Sequence, residues 1–132
     1  MEGYCQTSDK QHIFSQSDTV YLDGRYDSMV RFTPSLDEVN IADSLAEIRV
    51  KNYMQDYVGT AARSDYKSYY RQYVGYVDEQ NKKIIYINSF CRPVENWRKY
   101  LVLARGGDDC WISTKIDLDT KKTVGFNVNA PK

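Results

Sequence analysis

The chain is short of the residues that usually carry chemistry. It has one histidine, three cysteines and no net charge, because 18 basic residues offset 18 acidic ones. That balance argues against a nucleic-acid binder, since phosphate binding needs a surplus of Lys and Arg on one face. No apolar run approaches the ~20 residues of a membrane span. The N-terminus also lacks the basic-then-apolar pattern of a secretory leader, so either the protein is cytoplasmic or a leader has been removed. Gly106-Gly107 is followed by neither Lys-Ser/Thr nor a helix pattern, which excludes a phosphate loop and leaves a tight turn.

What is present is tyrosine, with 12 Tyr against 4 Phe and 2 Trp. Tyrosine offers apolar area with a polar tip and suits half-wet strands. With 132 residues, 42% of them apolar, the chain is long enough for one domain with one core. Residues 1–18 are polar and aperiodic, and read as a flexible arm ahead of a single domain over 19–132. Cys5 lies in this arm. A lipid-bearing cysteine on a polar tether would look similar, but Gly3-Tyr4 is a poor context for lipidation, and the plainer reading is a free thiol.

Thr19–Leu22 and Met29–Phe32 are β-like runs, and Asp23-Gly24 between them suggests a small hairpin. Ser35 and Glu38 have capping-box spacing, and Asp37 and Glu38 suit a helix start. A helix is expected from about Leu36 to Val58. Val39, Ala42, Ala46, Val50, Tyr53 and Tyr57 recur at steps of three or four, and Ile41, Leu45 and Ile48 widen the stripe. Gly59 is a suitable stop. Tyr66, Tyr69, Tyr70 and Tyr73 then suggest one or two helical turns.

Five strands are expected after that: 72–77, 83–91, 99–104, 110–118 and 123–129, with turns at 78–82 and 106–109. The fold class is therefore α+β: one long helix packed on a curved four- to five-stranded antiparallel meander, with a short N-terminal hairpin. A symmetric turn at Gly107 sets Leu103 opposite Ile112. The core face becomes Ile84, Tyr86, Phe90, Leu101, Leu103, Ile112, Ile116, Val124, Phe126 and Val128. Ile85, Ile87, Val102 and Trp111 are left on the other face. That face is too apolar to be fully wet, so the hairpin, a second copy or a ligand should cover part of it. The same register puts Cys91 and Cys110 at opposite ends of the sheet, several steps of ~3.4 Å apart, so they should not be bonded. Cys5 is able to reach either one, and an odd count leaves a thiol unpaired.

The run YYRQYVGYVDEQNKKIIYINSFC, then a Trp, GGDDCWISTKIDL and a closing FNVN resemble small uncharacterised bacterial proteins, many of them envelope-associated. The resemblance covers roughly residues 33–129. It implies a helix followed by a meander, with no activity, and favours an extracytoplasmic setting with the leader removed. The helix-then-sheet order is also similar to cystatin-like and NTF2-like layouts.

The candidate sites are few. His12, in a loose arm, is a poor base for Cys91 or Cys110, because a nucleophile needs its base rigidly held. Asp108-Asp109 and Asp117-x-Asp119 supply oxygens, but the calcium-loop pattern around them is incomplete; they read as turn residues. No catalytic, metal or cofactor residue is assigned. The functional hint is aromatic. Tyr66, Tyr69, Tyr70, Tyr73 and Tyr76, with Arg71, crowd one stretch, and Trp97 and Trp111 lie on or near the sheet. With Arg92 and Arg98 as rim contacts, they form a candidate interaction surface. The expected role is a non-enzymatic binding protein, an envelope accessory or an inhibitor- or immunity-type partner of another protein, or of a second copy of itself. The alternative is an NTF2-like small-ligand domain or simple acid–base enzyme. Its pocket would lie between helix and sheet, around Tyr53, Asp56, Tyr57 and Tyr86.

Overall fold

The structure, a computed structural model, describes residues 8–22, 29–56, 65–102 and 108–129. One helix, α1 (Leu36–Asp56), packs on a six-stranded sheet. The strands are β1 (Gln11–Ile13), β2 (Val30–Phe32), β3 (Tyr70–Val77), β4 (Lys83–Phe90), β5 (Asp108–Asp117) and β6 (Lys122–Asn129). β3 to β6 form the antiparallel meander. β1 and β2 share the remaining edge of β3: β1 runs parallel beside Arg71–Tyr73, and β2 runs antiparallel beside Gly75–Val77. The fold class is the one the sequence implies. Among the described residues, no helix is long and apolar enough to cross a membrane.

The helix begins where the capping box places it. The Glu38 amide donates to Ser35 Oγ (3.1 Å), and the Ser35 amide donates to Glu38 Oε1 (2.9 Å), so two otherwise orphaned donors are satisfied. Glu38 Oε2 also accepts from Lys83 Nζ on β4 at 2.7 Å, tying the helix start to the sheet. The buried stripe is narrower than its apolar residues suggest. Val39, Ala42, Ala46 and Val50 face the sheet, while Ile41 and Ile48 are exposed.

The sheet turns obey local chemistry. Asp78 Oδ1 accepts from the amides of Gln80 and Lys82, and Asn81 takes the left-handed φ of 65° that asparagine tolerates. Asp117 Oδ1 accepts from the amides of Asp119 and Thr120, and Asp119 Oδ2 from that of Lys83. These two acids do turn and edge work. Asp108 and Asp109 belong to β5 and not to a turn. Gly106, Gly107 and Leu103 lie outside the described residues.

Several expectations fail here, and most share one cause. Lys99–Val102 is not a strand, so the expected third strand does not enter the ladder, and β5 pairs directly with β4. Removing one strand shifts the parity of β4. Ile85 and Ile87, not Ile84 and Tyr86, face the helix with Ile112, Ile116, Phe126 and Val128. Phe90 and Leu101 also belong to the side away from the helix, and a β-bulge between Lys115 and Ile116 leaves Val124 exposed. The same shift reverses the cysteine expectation. Phe90 sits opposite Trp111, so Cys91 and Cys110 are the next pair; their Cα atoms are 4.9 Å apart and they form a disulfide.

The N-terminal hairpin is also replaced. Among the described residues, Thr19–Leu22 is irregular, and Val30–Phe32 pairs with β3, whose open edge offers a longer ladder than a short isolated hairpin. Nor is the stretch from Ser8 to Asp18 a loose arm. Gln11–Ile13 is a strand, and Phe14, Val20 and Leu22 are buried against Val74, Tyr76 and Ile84 on the face away from the helix. The chain covers its own second apolar face with this segment and with the crossing at residues 97–102.

Candidate functional site

The eight residues of the expected contact surface do not make one. Tyr66, Tyr69, Arg71, Tyr73, Tyr76 and Trp97 are buried, and only Tyr70 and Trp111 are half-exposed. The reason is alternation along β3. Arg71 and Tyr73 point toward α1, whereas Tyr70 and Tyr76 point to the opposite face. Tyr70 joins Phe90 and Trp97 in an aromatic cluster with ring centroids 5.3–6.0 Å apart. Trp97 meets the His12 ring edge-on at 6.4 Å, and His12 meets Phe14 at 4.7 Å. His12 is thus held in the fold; burial lowers its pKa, with Asp18 opposing and Arg98 adding to the effect. Arg92 lies over Trp111, and Arg98 over Trp97.

Among the described residues, Val39, Ala42, Ala46 and Val50 of the helix pack directly on Ile85, Ile87, Ile112 and Ile116 of the sheet. Tyr53 packs against Phe126 beside that core, whereas Tyr86 belongs to the other face, so the two do not converge. Tyr57 and the Asp56 side chain lie outside the described residues.

One buried ionic cluster does form, around a residue the sequence reading passed over. Asp43 stands on the buried side of α1, four residues after Val39 and three before Ala46. An acid inside an apolar stripe is the signal that would have found it. Its Oδ1 accepts from Tyr66 Oη (2.7 Å), and its Oδ2 from Tyr73 Oη (2.7 Å) and Gln11 Nε2 (3.0 Å). Arg71 Nε donates to Tyr73 Oη (2.9 Å) and stands 3.5 Å from Asp43 Oδ1. Helix, β1, β3 and the 3-10 turn at Tyr66–Ser68 are thereby joined through one carboxylate.

Burial, and then the Asp43 charge, push the phenol pKa values of Tyr66 and Tyr73 well up. Both therefore stay protonated and act as donors. Burial alone would lower the Arg71 pKa, but Tyr73, Asp43 and Tyr66 outweigh it, so the guanidinium stays charged. Both Asp43 oxygens accept hydrogen bonds, so the carboxylate is a fixed anchor. Asp43 lines a polar depression of about 420 Å3 that opens to solvent, together with Ser8, Gln11, Asn40, Ser44, Lys67 and Arg71.

A second concavity of about 590 Å3 lies at the end of the sheet that carries the β3–β4 turn. Met29, Val30, Tyr76, Val77, Ile84 and Val124 line it with Lys115 and the polar turn residues 78–81. Val30 is 69% exposed and Val124 56%. Among the described residues no three His, Cys, Asp or Glu side chains gather as a metal site. No family model, no curated protein and no solved structure matches the chain.

Proposed function

We propose that the protein is a non-enzymatic binding domain that engages another protein through the groove of Val30, Tyr76, Ile84 and Val124. The observation that carries this reading is the pair of exposed valines beside the buried Tyr76 and Ile84, in a groove that the polar 78–81 turn also lines. Isolated exposed apolar residues are ordinary, but a concave group of them favours a partner's side chains. The direct packing of helix on sheet supports binding at the surface over an internal ligand pocket. The Cys91–Cys110 disulfide supports a role in an oxidising compartment, in keeping with an envelope setting.

The test is affinity capture from the native source, followed by titration of the purified partner. Val30→Glu and Val124→Glu alter exposed positions and leave the core intact. Ile48→Glu, exposed on the helix at 59%, is the control. A partner held by wild type and by Ile48→Glu, and lost by the valine variants, supports the groove. Binding indifferent to both valines, or no partner at all, counts against it. Light scattering at several concentrations identifies the case in which the partner is a second copy of the chain.

A further inference from the structure

We infer that the depression beside Asp43 is a binding site for a carboxylate anion, separate from the groove. The argument rests on one nitrogen. Arg71 is buried, its side chain only 4% exposed, and most of its donors are committed. Nε donates to Tyr73 Oη, and Nη1 to the carbonyl oxygens of Tyr66, Lys67 and Tyr69. Nη2 has no acceptor among the described residues, and Arg71 lines the depression. Among the described residues the buried side-chain atoms without a partner are Trp111 Nε1 and Thr114 Oγ1, so Nη2 reaches solvent in the depression, where the other bonds of Arg71 hold it as a preorganised charged donor for an acceptor from outside.

The surroundings set the class of ligand. Asp43 also lines the depression, but its charge balances Arg71 and its oxygens accept from Tyr66, Tyr73 and Gln11. Lys67 is exposed at the rim and adds a second positive charge. The depression thus carries one surplus positive charge, which a monoanion matches. Asn40 and Ser44, exposed on α1, add neutral polar groups on the facing wall. Gln11 is already used, its amide held by Asp43 and Tyr73 and its Oε1 by the Ser8 amide. A planar carboxylate bridging Arg71 Nη2 and Lys67 Nζ satisfies both cations with charge-assisted bonds. The carboxylate belongs either to a small free acid or to the C-terminus of a peptide.

The experiment is an amide chemical-shift titration of the 15N-labelled full chain with acetate, with N-acetyl-diglycine and with N-acetyl-diglycine amide. Saturable shifts at Gln11, Asn40, Ser44, Lys67 and Arg71 with a carboxylate ligand, and none with the amide, are expected. Acetate alone binding identifies a free acid, and the peptide acid binding more tightly identifies a chain terminus. Lys67→Gln and Ser44→Asp change exposed residues, so the fold survives, and each should weaken binding about tenfold. Equal shifts with the amide, no saturation with either acid, or unchanged affinity in both variants overturns the site.

Discussion

Asn88 Nδ2 donates to Gln72 Oε1 across the β3–β4 ladder at 2.9 Å, on the face away from the helix. This buried amide pair organises everything above it. Gln72 Nε2 donates to the carbonyls of Trp97 and Tyr100, Gln72 Oε1 also accepts from the Val102 amide, and Asn88 Nδ2 donates to the Val102 carbonyl. Two side chains thus act as a backbone edge and hold residues 97–102 across the sheet. Gln72→Ala leaves those groups unpaired. It should cost about 2–3 kcal/mol in urea unfolding and speed exchange of the Val102 amide. An unchanged midpoint would show that the crossing is held by packing alone.

Thr114 gives the opposite sign. Its Oγ1 is buried on the helix face, opposite Ile87 and Phe126, with no hydrogen-bond partner. Thr114→Val keeps the shape and removes an unsatisfied hydroxyl. The melting midpoint should rise, by about 1 kcal/mol of stability. A fall would mean that the hydroxyl has a partner.

Asp43→Ala strips the buried Arg71 of its counter-charge and the Tyr66 and Tyr73 phenols of their acceptor. The expected loss is about 3–5 kcal/mol by chemical denaturation, against a few tenths for Ile48→Ala on the exposed side of the same helix. Similar losses from the two variants would remove Asp43 from the architecture.

The disulfide closes a loop with a sequence separation of 19. Reduction, or the Cys91→Ala/Cys110→Ala double variant, should lower stability by about 3 kcal/mol, chiefly by releasing the unfolded chain. The two treatments should give the same midpoint, since β4 and β5 remain paired. Insensitivity to reductant would contradict a bonded pair.

His12 makes stability depend on pH. Burial lowers its pKa in the fold, so the folded state favours the neutral ring. The stabilisation is full above the unfolded value of about 6.5 and is lost as pH falls through the folded one. Wild type should therefore lose midpoint from pH 7 toward acid, and His12→Gln should lose less. Parallel pH profiles would rule out His12 as the titrating group.

The helix was legible because its signals are local. The Ser35–Glu38 box, the Val39-Ala42-Ala46-Val50 stripe and the Asp78–Lys82 turn each lie within a few residues and need no distant partner. The site was not legible. Tyr66, Arg71 and Tyr73 stand out as a crowded stretch, and crowding suggests a surface. What buries them is Asp43, 23 to 30 residues away, together with Gln11 from a strand that inserts beside β3.

Hydrophobic period and turn chemistry thus determined by themselves that this chain makes one long helix, a set of antiparallel strands and tight turns between them. Only the tertiary structure decided which face of β4 meets the helix, that Cys91 meets Cys110, and that the Ser8–Asp18 stretch is part of the domain. The physical reason is that alternation specifies two faces without naming them. Choosing between them depends on the neighbouring strand, and the polar side chains of Gln72 and Asn88 took Lys99–Val102 out of the ladder and left β5 in its place.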